Sequence, residues 1–263
     1  MPRRLLGCTV GLLLTLTGCA SVSGTDASPA PGGAGPAASA APSPTGTPVA
    51  QPEDCGSGIA TDLDQALRII SDGEDCPGSA NRFWDEQLGD AWTEPTFIQY
   101  DDGMIPDSEC AEEGSAEEFA DNAFYCPLDD VIAFSNQLME RLYQEGGPYL
   151  PVVVLQHELG HRANDIADTE GVVSRSEENQ ADCQAGATTR FSFDAERLPA
   201  TDVLRSAKLL FELGDVSNFG DETADDPGAH GTPPQRVLAY GRGYFQGIDI
   251  CDDLGRNPLG HTL

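Results

Sequence analysis

His157-Glu158-Leu159-Gly160-His161 is an H-E-x-x-H run, and it follows the apolar residues Leu150, Val152, Val153, Val154 and Leu155. On a helix, positions four apart share a face, so both imidazoles can reach one zinc ion. Glu158 stands beside the first imidazole, where its carboxylate can take a proton from a metal-activated water. The chain has only four histidines, and two of them fall in this run. The same five letters also arise by chance on the exposed turn of an ordinary helix. What separates the two cases is a third ligand, because a catalytic zinc takes three protein groups and keeps one position open.

Three sets of residues compete for that place. The longer H-E-x-x-H-x-x-G-x-x-H pattern requires Gly at 164 and His at 167; Asn164 and Ala167 exclude it. Asp165 and Asp168 lie one and two turns past His161, in the composition of a solvated helix end. Glu178 opens Glu178-Asn179-Gln180-Ala181-Asp182, which puts two carboxylates one helical turn apart on one face. Glu178 can ligate, while Asp182 can accept the free N–H of a zinc histidine and fix its tautomer. Further on, His230 follows the acidic residues Asp221, Glu222, Asp225 and Asp226 and precedes Pro233-Pro234, a helix-opening pair. A histidine at such a junction can stabilise an oxyanion, or it can be a plain loop histidine. Arg236 can anchor that loop through a carboxylate, or be a surface charge.

Taken in order, H-E-L-G-H, E-N-Q-A-D-C-Q-A-G and H-G-T-P-P-Q-R resemble the bacterial neutral zinc metallopeptidase family, and more distantly the gluzincins, whose third ligand is a glutamate. Phe124-Tyr125-Cys126-Pro127 matches a segment that this family carries before its zinc helix. The resemblance covers residues 95–250. It implies zinc-dependent peptide hydrolysis on a zincin-like domain, with His157, His161 and Glu178 as ligands to one Zn2+ and Glu158 as base. His230 is then the oxyanion group, with Asp182 and Arg236 in supporting positions. The chain departs from the family in its acidity, its additional N-terminal cysteines and its lack of a transmembrane anchor. The rival class is a lipid-anchored binding or scaffold protein with a vestigial zinc site, against which the intact Glu158 argues.

Residues 1–18 read as a lipoprotein signal: Arg3 and Arg4, then an apolar stretch from Leu5 to Leu16 too short to span a bilayer. Leu16-Thr17-Gly18-Cys19 resembles a lipobox, which makes Cys19 the lipidated residue and anchors the chain on the outer face of the cell membrane. Residues 19–54 are rich in Ala, Ser, Pro and Gly and read as a disordered tether. Six cysteines remain, an even set that outside the cytoplasm argues for disulfides. Proximity in sequence suggests Cys55–Cys76, Cys110–Cys126 and Cys183–Cys251; no C-x-x-C pair supports a cysteine metal site.

The formal charge is −30. Without the signal, 12 basic residues face 44 acidic ones, a balance that excludes nucleic acid as a partner; the peptide or protein substrate is what the resemblance implies. The acidic cluster at 221–226 could attract Ca2+, although it lacks the spacing of a known calcium loop.

Residues 55–263 form one domain. Apolar spacing predicts helices over 59–70, 81–88, 136–144, 150–163, 176–190, 202–213 and 234–244. Strands are expected at 96–100, 124–125 and 131–134, one of them along the rim of the active cleft. The expected class is α+β, helix-dominated, with a small antiparallel sheet.

Overall fold

The computed structural model of the protein describes residues 45–50, 54–112, 114–169, 171–215 and 229–257. The fold is α+β and rich in helix. Its chain order is β1 (Thr47–Pro48), α1 (Leu63–Ser71), α2 (Ala80–Leu88), β2 (Thr96–Tyr100), β3 (Ala123–Cys126) and β4 (Val131–Ser135). Six helices follow: α3 (Asn136–Gly146), α4 (Tyr149–Ala167), α5 (Ser174–Asp194), α6 (Ala200–Glu212), α7 (Pro233–Gln246) and α8 (Cys251–Arg256).

Local chemistry explains the boundaries. Asp62, Ser79 and Ser135 cap α1, α2 and α3 by accepting backbone N–H bonds from Gln65, Arg82 and Leu138. Pro151 lies in the first turn of α4, where its missing N–H costs nothing. Thr232 and Gln235 form a capping box at α7, with prolines in its first turn. α8 had no counterpart in the sequence reading; it is six residues long with Asp252 and Asp253 in its first turn.

The sheet order is β1-β2-β4-β3, and the sheet is mixed, which corrects the expected antiparallel one. β3 pairs antiparallel with β4, but β2 runs parallel to β4, from Thr96 opposite Val131 to Tyr100 opposite Ser135. The 22 residues between β2 and β3 allow that return crossing, and strand direction leaves no mark on alternation along a strand. A second correction concerns the tether. Thr47–Pro48, inside the segment expected to be a disordered tether, adds an edge strand beside Ile98 and Gln99. Pairing through main-chain bonds (Thr45 N–H to Ile105 O, Val49 N–H to Phe97 O) requires no apolar side chains.

All three expected disulfides are present: Cys55–Cys76, Cys110–Cys126 and Cys183–Cys251. The third ties α5 to α8, and both of its cysteines are buried. The apolar core gathers Ile69, Phe83, Trp84, Leu142, Val153, Leu155, Leu159 and Leu210 around α4. α4 packs on α5, and Gly160 is what lets them approach: a Cβ there would lie 3.1 Å from the Ala181 Cα and 2.7 Å from the Gln184 side chain. This close crossing carries the H-E-x-x-H run up to the turn that begins at Glu178. Among the described residues no helix is long and apolar enough to cross a membrane.

Candidate metal centre

α4 presents His157 and His161 on one face, with their Nε2 atoms 3.1 Å apart. α5 brings Glu178 to the same point, its carboxylate oxygens 3.2 Å from His157 Nε2 and 3.4 Å from His161 Nε2. All three ligand atoms lie within 4.8 Å of one another, an arrangement that could hold a metal ion. His157 and Glu178 are buried and His161 is partly open. Glu178 Oε2 is buried and accepts no well-directed hydrogen bond, so it is an orphaned acceptor facing the His157 ring nitrogen. A cation among the three would satisfy all of them at once.

Behind the ligands stands a buried chain of charges. Asp182 Oδ1 lies 2.9 Å from His157 Nδ1, which makes that nitrogen the donor and turns Nε2 toward Glu178. Arg236 grips Asp182 with a two-bond fork, Nε to Oδ2 and Nη2 to Oδ1, each 2.8 Å. Of the two readings left open for Arg236, a carboxylate pair and a surface charge, the buried side chain has the first, and its partner is the acid that orients the ligand. Among the protein's own charges, burial would depress the His157 imidazole, but Asp182 and Glu178 outweigh it and push it up to about 10. Burial would raise the Glu178 carboxyl, yet the His161 and His230 charges hold it well below the usual range. The same opposition holds Asp182 low, with Arg236 the counterweight to burial.

Glu158 is buried beside the ligands and stays outside their cluster. Burial raises its pKa, which suits a group that must accept a proton and release it again. Its Oε2 accepts the Tyr125 backbone N–H at 3.0 Å. Thus β3, an edge strand paired only with β4 among the described residues, runs along the site as the strand pattern led us to expect. Of the rival ligands, Asp165 accepts the Tyr125 hydroxyl at 2.9 Å, and Asp168 ends α4 in the left-handed region with φ 54°. Neither joins the metal group.

His230 sits in a turn held by Asp215, a residue the sequence reading passed over. Asp215 Oδ1 lies 3.5 Å from His230 Nδ1, and its Oδ2 accepts the Gly231 N–H at 2.8 Å. Gly231 takes φ +95°, open to glycine at little cost. Burial would lower the His230 pKa, but Glu178 and Asp215 raise it, so its imidazole senses the metal-site carboxylate. No motif spacing links Asp215 to His230 and Gly231 in the sequence. The 221–226 acidic cluster and Cys19 lie outside the described residues.

The chain is similar to an uncharacterized protein of Mycobacterium tuberculosis and to one of Mycobacterium bovis, each 25% identical over 168 residues. The aligned part is 52% of this chain and 56% of the relatives, so the chain spans just over half the length of the curated relatives it matches. No family model and no solved structure matches it.

Proposed function

We propose that the protein is a zinc-dependent endopeptidase of the gluzincin type, on a zincin-like domain. It acts outside the cytoplasm, tethered through lipid on Cys19. The observation that carries this is the convergence of His157 Nε2, His161 Nε2 and the Glu178 carboxylate: the ring nitrogens are 3.1 Å apart, Oε2 lies 3.2 Å from the first and Oε1 3.4 Å from the second. Zinc bonds of ~2.0–2.1 Å in a tetrahedron set neighbouring ligand atoms about 3.3 Å apart, which these distances match, whereas calcium takes oxygen ligands and has little use for two imidazoles. Two imidazoles and one carboxylate are also the donor set of a hydrolytic site with a fourth position open. Three disulfides support an oxidising compartment.

Bound zinc supplies Lewis acidity, activating a water and polarising the scissile carbonyl. Glu158 accepts the proton of the attacking water and passes it to the leaving amine. Asp182 and Arg236 keep the His157 ring turned toward the ligand point. The His230 N–H opposite its Asp215-facing nitrogen stabilises the oxyanion.

The test is zinc analysis of the purified protein together with cleavage of a mixed peptide library. Stoichiometric zinc and chelator-sensitive cleavage are expected; zinc without cleavage of any peptide or protein would favour a binding protein. His230→Ala should lower turnover by about 10²-fold, the usual scale for an oxyanion donor, with zinc content unchanged. Unaltered turnover in that variant would return His230 to a plain loop residue.

A further inference from the structure

Arg162 follows the ligand His161 directly and is almost wholly buried, at 1% exposure. Few charged side chains are buried to that degree without a specific task. Its guanidinium forms a fork on Asp130, Nε to Oδ1 at 2.6 Å and Nη2 to Oδ2 at 2.7 Å. Nη1 donates to the Thr93 carbonyl at 2.8 Å and Nη2 to the Thr93 hydroxyl at 3.0 Å. The group also lies 4.4 Å from the centre of the Trp92 ring.

These partners are not scattered. Asp130 is the left-handed residue (φ 54°) in the turn between β3 and β4, immediately before Val131. Thr93 lies just ahead of β2. One guanidinium on the metal helix therefore holds the starts of both central strands and the tip of the β3–β4 hairpin. The hairpin touches the same helix at two more points, Tyr125 N–H to Glu158 and Tyr125 OH to Asp165. Residues 158, 162 and 165 occupy one flank of α4, beside the flank that carries the two ligand imidazoles. Edge strand, proposed base and fork are thus a single mechanical unit.

We propose that Arg162 is a positioning residue: by pinning the hairpin turn at Asp130 it holds the Tyr125 N–H against Glu158 and so fixes the direction of the base's carboxylate. The catalytic consequence rests on Glu158 being the base, but the geometric half does not. In β3 the inward amides of Phe124 and Cys126 bond to β4, as the Ser135 N–H to Asn122 O bond continues on the same side. The Tyr125 amide points outward, and its acceptor is the Glu158 carboxylate. An edge amide with no acceptor but water exchanges rapidly, so its protection reports the Glu158 contact.

The experiment is amide hydrogen exchange by NMR on the full folded protein loaded with Zn2+. It compares Arg162→Met, Asp130→Asn and Glu158→Ala with the parent. Asp130→Asn serves if Arg162→Met does not fold, because the Asp130 side chain is half exposed and tolerates loss of its partner. In all three variants the Tyr125 amide should exchange about tenfold faster or more, with the Phe124 and Cys126 amides still protected. Where a cleaved peptide is in hand, Arg162→Met and Asp130→Asn should also lower kcat about tenfold with KM and zinc content unchanged, the signature of a misdirected group. An unchanged Tyr125 amide, or protection lost evenly along β3 and β4, overturns the proposal. Absence of any cleavage by the parent protein counts against the peptidase reading and leaves the exchange result to decide this one.

Discussion

Glu158→Gln should slow hydrolysis by about 10²–10⁴-fold while zinc stays bound. The glutamine side chain has the same shape and keeps a carbonyl oxygen for the Tyr125 N–H, which the carboxylate accepts at 3.0 Å. It is uncharged, and burial already disfavours the charged form of Glu158, so the exchange costs the fold little. The ligand point is untouched, because Glu158 lies outside the His157, His161 and Glu178 group. What disappears is the ability to take a proton from water, since an amide has no basicity near neutral pH. General-base catalysis contributes about 10²–10⁴-fold, and kcat should fall by that factor. Metal analysis beside single-turnover kinetics on a peptide taken from the library measures both quantities. A variant with parental kcat would remove Glu158 from the mechanism and with it the main reason for preferring a peptidase to a scaffold.

What could be read from the sequence was local. His157 and His161 are placed by the period of a single helix, as are Glu178 and Asp182, so spacing alone put each pair on one face, with Glu158 on the neighbouring flank. Gly160 is the residue that lets the two helices meet, and its role became clear only with Ala181 and Gln184 opposite it. The disulfides join consecutive cysteines of the set, 21, 16 and 68 residues apart, so pairing by order along the chain found them. Contacts between distant segments stayed hidden. Arg162 meets Asp130 and Thr93 from 32 and 69 residues away, and no pattern on α4 distinguishes it from an arginine in solvent. Arg236 finds Asp182 across 54 residues. The parallel pairing of β2 with β4 was equally invisible, because alternation along a strand gives its faces and says nothing of its direction.

Glu178→Ala tests the site at the point where the sequence left a choice. Removing it deletes one of three convergent donors and leaves two imidazoles facing each other 3.1 Å apart. Loss of a group that only orients a ligand costs about 10–100-fold in metal affinity, so loss of the ligand itself should exceed 100-fold. Asp182→Asn falls in the smaller class. The amide oxygen of that variant would still reach His157 Nδ1, but the charge between His157 and Arg236 would be gone. Asp165→Ala should leave zinc affinity where it was, because Asp165 is exposed and its partner is the Tyr125 hydroxyl. Competition with a zinc chelator of known affinity ranks the three variants. The expected order of damage is Glu178, then Asp182, then Asp165 with none. An Asp165 variant that loses zinc while the Glu178 variant keeps it would move the third ligand onto α4. That result would also require α4 and α5 to sit differently from the crossing that Gly160 allows, because the carboxylate of Glu178 could then not be within 3.4 Å of both imidazoles.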